Sequence, residues 1–361
     1  MRRFACEVCG TEVFFDSSQC LHCGTESGYR YGDDEVVALT TAGEAEGEGA
    51  SGASRHRCSQ ASLAGCTWVV DTPGSACASC SLTRTRPSDD DLEGLTLFPV
   101  AEAAKRHLLR DLRRVGLTVS GKAVDEQRGL AFDLLSSVDD DITIGHADGV
   151  ITMDLAEGDD SHREKVRQRL AEPYRTMLGH FRHEVGHYVE WLLLEGTDRM
   201  HEARELFGDE REDYQTAIDR HYQDGAPVGW QETYISEYAT MHPYEDFAES
   251  WAHVLHIEDT LETAQAFDLV PPSAADSPSH GFADVVRHDW LPFATAMNVV
   301  NRSLGARDLY PFILADRVIE KLAFAASVVG IAATPTPSPP PKTPPTPTLE
   351  SVDRTPEETR G

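Results

Sequence analysis

Apolar side chains recur at helical spacing through most of the chain after about Leu95, with one short stretch of alternation between. The segment AEAAKRHLLRDLRRVG places its apolar residues three and four apart and meets Gly116, which predicts a helix stopping there. LAFDLLS and DITIGHADGVITMDL follow as short β-prone runs, and Asp148-Gly149 within the second predicts a hairpin turn. Helical patterning resumes from Ser161 to about Gly196, from about Asp209 to His221, and from Pro243 to about Leu269. A last helix is expected from about Asp308 to Val329. Beyond it, TPTPSPPPKTPPTPT cannot bury a core and reads as a disordered tail. The fold class expected is α+β, mostly helical with a small β-sheet.

Cysteine usage divides the chain more sharply. All eight cysteines lie within the first 80 residues. Cys6-x2-Cys9 and Cys20-x2-Cys23 make one unit; Cys58-x7-Cys66 and Cys77-x2-Cys80 make another. In each unit a ten-residue gap leads to the closing CxxC pair, as in a degenerate internal repeat. Two CxxC turns can close a tetrahedral thiolate shell around zinc, so the first set predicts a zinc ribbon. The second set, with its unusual first spacing, predicts another structural zinc; its alternative is four buried reduced thiols. Redox chemistry is the weaker option, because the βαβ pattern that carries an isolated CxxC redox site is missing. The expected organisation is a zinc ribbon at 1–36, a flexible acidic linker at 37–55 and a second, four-cysteine zinc module at 56–90. A catalytic domain at 91–332 and the tail at 333–361 complete it. The ribbons either dock a protein partner or simply support folding.

Charge narrows the classes. Asp plus Glu is 61 against 32 for Lys plus Arg, a net charge of −29 over 361 residues. Such a chain lacks the basic surface that displaces counterions from nucleic acid, and anionic membranes are disfavoured for the same reason. The longest apolar run, Leu322 to Ala333, is too short to span a bilayer and follows Glu320 and Lys321. The start, MRRFACEVCG, has no apolar run after its arginines, so no signal peptide is expected and the cytoplasm is the expected location.

The most informative segment is His183-Glu184-Val185-Gly186-His187. On a helix it sets two imidazoles one turn apart on one face as zinc ligands, with Glu184 beside them to take a proton from water. Leu178, Phe181, Val185, Tyr188 and Leu192 form an apolar stripe opposite. Alone, the pattern also suits an amphipathic helix whose His and Glu face solvent. A catalytic zinc needs a third protein ligand, and SEYATMHPYEDFAESWAHVLH offers one. Pro243 suits a first helical turn, and Glu245 and Glu249 share a face. One carboxylate can ligate zinc while the other braces a ligating histidine.

HEVGHY together with YEDFAESWAH resembles the gluzincin-type metallopeptidases. The closest resemblance is to a bacterial family of zinc-binding metallopeptidases with an N-terminal zinc ribbon. ITIGHADGVITMDLAEGDD, EPYRTMLGHFRHEVGHY and LFGDEREDY are similar to that family's longer motifs, and the resemblance reaches up to the Pro-rich tail. It implies a zincin-like domain with one catalytic and two structural zinc ions. The stretch Tyr238 to Glu249 is distantly similar to the catalytic domain of anthrax lethal factor. That similarity implies Glu245 as third ligand, Glu249 as its bracing neighbour and Tyr238 as hydroxyl donor to the oxyanion.

Other readings stay open at several positions. Asp209, Glu210, Asp213, Glu249 and Asp246 compete with Glu245 as third ligand, although the first three also suit a helix cap. Tyr234 and Tyr244 stand close enough to replace Tyr238. His180 either touches substrate or lies at the surface, and His253 and His256 either support the ligands or face solvent. His146 and Asp148 belong to their turn; Asp159, Asp160, Arg163 and Glu164 suit a solvated helix start. The function expected is a zinc-dependent peptidase acting on a peptide or protein, with Glu184 as general base. The alternative is a non-catalytic zinc-ribbon adaptor whose HExxH holds metal without turnover.

Overall fold

Short hairpins open the chain, the first with Cys6 and Cys9 in its turn. In the computed structural model, which describes residues 1–39, 54–137, 142–169, 174–270 and 281–329, β1 (Phe4–Ala5) pairs antiparallel with β2 (Glu12–Val13). β3 (Ser27–Arg30) pairs with β4 (Glu35–Ala38), and β5 (His56–Arg57) with β6 (Val69–Val70). Tyr29 bridges to Trp68, their ring centroids 5.2 Å apart, which joins the two cysteine units through one buried aromatic cluster. Most of the expected linker, and all of the expected tail, lie outside the described residues.

Three residues past Cys80 the chain enters the main sheet as β7 (Thr83–Thr85). β8 (Ala131–Leu135) pairs parallel with β7 and with β10 (Val150–Asp154), and β9 (Gly145–Ala147) pairs antiparallel with β10 at the edge. The β9–β10 turn is the predicted one: Asp148 and Gly149 both take positive φ, 48° and 78°. Between β7 and β8 runs α1 (Leu92–Arg114), which buries Phe98, Leu108, Leu109 and Leu112. It starts earlier than its apolar run suggests, because the Asp91 side chain accepts from the Gly94 N–H at 2.8 Å and caps it before Pro99.

Helices make the rest. α2 (Asp160–Arg169) precedes α3 (Met177–Val189), whose first turn is capped by Thr176 Oγ1 accepting from the Gly179 N–H at 2.9 Å. A wide π turn, Glu190–Leu194, continues α3 towards Gly196. The continuous pattern expected from Ser161 is therefore interrupted before Thr176. α4 (Arg199–Phe207) and α5 (Tyr214–Asp224) follow; α5 starts after Asp213, which caps Thr216 at 2.8 Å, rather than at Asp209. α6 (Pro243–Ala266) matches the predicted helix. α7 (Phe282–Val285) runs through a second wide turn into α8 (Leu291–Ser303), and neither was predicted. α9 (Asp316–Val328) starts well after Asp308 because Pro311 disfavours helix before it and Asn298 pairs with both backbone groups of Tyr310, at 2.7 and 2.9 Å.

α1 and α3 pack together and α3 lies against the sheet, with α6 across α3 and α9 behind α6. Phe132, Leu134, Ile151, Met153, Phe181, Val185, Trp251 and Leu255 fill the space between, none exposed. No described helix is long and apolar enough to cross a membrane.

Candidate metal centre

Both cysteine sets converge, the unusual second spacing included. Cys6 and Cys23 Sγ lie 3.7 Å apart, Cys9 and Cys20 3.6 Å, and Cys66 and Cys77 3.6 Å. Zn–S bonds of about 2.3 Å at tetrahedral angles put sulfurs about 3.8 Å apart, so these spacings fit zinc. Cys58 Sγ also accepts the Cys77 N–H at 3.2 Å, which favours its thiolate.

The third cluster is His183, His187 and Glu245, whose donor atoms all lie within 4.8 Å of one another. Glu245 Oε2 is 3.0 Å from His183 Nε2 and 3.4 Å from His187 Nε2. Zinc bonds of about 2.0–2.1 Å at tetrahedral angles put ligand atoms about 3.3 Å apart, so the residues fit the ion. What lets α3 and α6 approach this closely is Gly186. A Cβ there would meet Ala248 Cα at 2.7 Å and its carbonyl oxygen at 3.0 Å.

The surrounding bonds orient each ligand. Tyr214 donates to Glu245 Oε1 at 2.5 Å, leaving Oε2 towards the imidazoles. Glu249 Oε1 meets His183 Nδ1 at 2.8 Å, and Ser236 donates to its other oxygen at 2.6 Å. The His187 ring stacks on Tyr244, centroids 3.9 Å apart. Burial opposes ionisation of Glu245, but the two imidazoles outweigh it and hold its carboxyl well below the usual range. Arg182, next to His183, is locked by Asp111 at 2.7 Å and Asp259 at 2.9 Å.

Glu184 is 6% exposed, and its Oε2 is buried with no hydrogen-bond partner. Burial, with Glu245 adding and His183 opposing, pushes its carboxyl up to about 7. Tyr238 lies in a short turn with its ring 5.6 Å from that of His183, centroid to centroid. Tyr234 instead faces Lys321, and Tyr244 lies flat on His187.

The competing acids are held elsewhere. Asp246 pairs with Lys321 at 2.5 Å, Asp209 with Arg211 at 2.7 Å and Glu210 with Arg204 at 2.8 Å, while Asp213 caps α5. His180 meets Glu157 at 3.2 Å, and buried His253 meets the Tyr310 hydroxyl at 2.8 Å. His256 receives an Arg182 N–H at 2.6 Å. His146 accepts the Gly149 N–H at 3.0 Å within its turn. Asp159 accepts from the His162 N–H at 2.6 Å at the start of α2, and Arg163 pairs there with Asp160. Sequence reasoning misses Tyr214 and Ser236: Tyr214 meets Glu245 from another helix, and Ser236 lies 13 residues before Glu249, a spacing with no helical or strand meaning.

Residues 95–328 match the model of a family described as "Putative zinc-binding metallo-peptidase", and residues 3–91 match a zinc-ribbon domain that spans both cysteine sets. The chain is also similar to uncharacterized proteins of Mycobacterium tuberculosis and Mycobacterium bovis. Each is 46% identical over 335 residues, covering 91% of this chain and 95% of the relative. No solved structure matches.

Proposed function

Because the chain belongs to this zinc-binding metallo-peptidase family, we propose that it hydrolyses peptide bonds at the centre formed by His183, His187 and Glu245. The observation that carries the reading is Glu184, buried beside that cluster with a carboxylate oxygen left without a partner. An adaptor holding metal for its fold has no use for such a group.

His183, His187 and Glu245 would hold the catalytic zinc, and the two cysteine sets a structural zinc each, three in all. When bound at the centre, zinc supplies Lewis acidity that acidifies water and polarises a carbonyl. Glu184 accepts the proton of the attacking water and returns it to the leaving amine nitrogen. Tyr238 donates its hydroxyl to the carbonyl oxygen as negative charge develops there. Glu249, held by Ser236, keeps His183 oriented. Eight reduced cysteines suit the cytoplasm, and the net charge of −29 disfavours nucleic acid and supports a protein or peptide partner.

Glu184→Gln should keep about three zinc ions per chain while peptide hydrolysis falls by about 10²–10⁴-fold. His183→Ala/His187→Ala should fall to about two zinc ions. Unchanged hydrolysis in Glu184→Gln, or three ions retained in the double variant, would overturn the reading.

A further inference from the structure

One acidic residue close to the centre has no role in that chemistry. Glu190 opens the π turn that continues α3, three residues after His187. It is 5% exposed, and its Oε2 is fully buried without a hydrogen-bond partner. The charges acting on it are all carboxylates, namely Glu210, Glu245 and Glu195, and after burial they push its carboxyl well above the usual range. Glu210, one of those carboxylates, has its own cation: Arg204 pairs with both of its oxygens, at 2.8 and 2.5 Å. Without a partner this carboxyl of Glu190 stays neutral and leaves a buried polar atom unsatisfied, where a leucine would fit more cheaply; a cation beside it would restore its charge and pair it.

Resting on the peptidase reading above, we infer that Glu190 is the counter-charge for a lysine or arginine side chain of the substrate, next to the bond that is cut. Residues three apart on a helix lie about 5–6 Å from one another, about the reach of a lysine side chain, so a cation on Glu190 belongs to a residue flanking the scissile bond. Tyr244, whose ring stacks on His187, lies within the field of Glu190 and adds an aromatic neighbour for that cation. A metal ion is the poorer occupant: among the described residues Glu190 joins no group of three close ligand atoms. The net charge of −29 would also draw basic peptides in.

Matched fluorogenic peptides carrying lysine or norleucine at each position flanking the cleaved bond test this. The wild type should show a kcat/KM ratio of roughly tenfold or more in favour of lysine at one position. Glu190→Gln should bring the ratio close to one with zinc per chain unchanged, and Glu190→Asp should retain part of it. As a check needing no variant, n-butylammonium should inhibit wild-type cleavage at concentrations where 1-butanol does not. Equal cleavage of both peptides, a preference surviving Glu190→Gln, or equal effects of amine and alcohol would overturn the inference while leaving the peptidase intact. A wild type that holds zinc yet cleaves no peptide would overturn the peptidase reading, and this inference with it.

Discussion

Gly186→Ala is the smallest change that separates the ligands of α3 from the ligand of α6. The added Cβ would lie 2.7 Å from Ala248 Cα, 3.0 Å from its oxygen and 3.2 Å from its Cβ. Two of these atoms are backbone, so no side chain can swing aside; the helices must part by up to about 1 Å to reach ordinary contact at about 3.5–4.0 Å. Forced overpacking costs about 1–3 kcal/mol, and alanine's better helix propensity returns about 1 kcal/mol of it. The net destabilisation is up to about 2 kcal/mol, a few degrees in Tm for a domain of this size. The effect on the centre should be larger in proportion, because Glu245 rides on α6 and both imidazoles on α3. Spacings of 3.0 and 3.4 Å would open beyond what tetrahedral zinc bonds span. A 1 Å misplacement costs about 100-fold in catalysis. Zinc affinity by chelator competition and peptide turnover should therefore fall far more than Tm. A Gly186→Ala protein that binds zinc as tightly as the wild type and turns over normally would refute the claim that this contact sets the ligand spacing.

Tyr214→Phe removes the donor to Glu245 Oε1 and frees the carboxylate to rotate. Zinc affinity at that centre should fall about 10-fold or more while the cysteine sites keep theirs, as chelator competition resolved by site would show. His146 accepts the Gly149 N–H through Nε2, which requires an unprotonated nitrogen, and burial, aided by the charges of His187 and Lys122, lowers its pKa to about 3. The unfolded chain takes up that proton near pH 6.5 and the folded chain does not. His146 thus contributes stability above pH 6.5 that is lost as pH falls towards 3. Between pH 7.5 and 5.5 the loss is about 1.4 kcal/mol, and urea unfolding of His146→Asn should show a correspondingly shallower pH slope; equal slopes would refute the assignment.

The residues of the candidate centre were legible because their spacing is itself geometry. HEVGH puts two imidazoles on one helical face, and Glu245 and Glu249 lie four apart on another. The residues that orient them carry no such signature. Tyr214 reaches Glu245 from α5, 31 residues earlier, and Ser236 reaches Glu249 from the irregular stretch before α6, 13 residues earlier; neither spacing is helical or strand-like, so nothing in the pattern marks the pair. Element boundaries failed for similar reasons. Pro311 and the Asn298–Tyr310 pair overrode an apolar pattern that read as helix from Asp308, and α8, which buries only Ala294, was missed although its apolar residues do recur at helical spacing.

The cysteine units are joined to the domain that carries the candidate centre by more than chain connectivity. Cys80 leads directly into β7, a strand of the same sheet that α3 packs against, and Thr83 on β7 donates to Glu102 on α1 at 2.5 Å. Lys105 completes that buried group at 2.6 Å, and Arg106 reaches back to the carbonyls of Ala64 and Gly65, between Cys58 and Cys66. One turn on, Arg110 pairs with Asp34 beside the first ribbon at 3.1 Å and with Glu262 on α6 at 2.7 Å. α1 therefore ties both cysteine units to the helix that carries Glu245. Small modules whose own cores cannot hold them gain their folding energy from bound zinc. α1 and β7 tie both units to the scaffold of the candidate centre, which argues for the ribbons as supports of that fold, whatever else they bind.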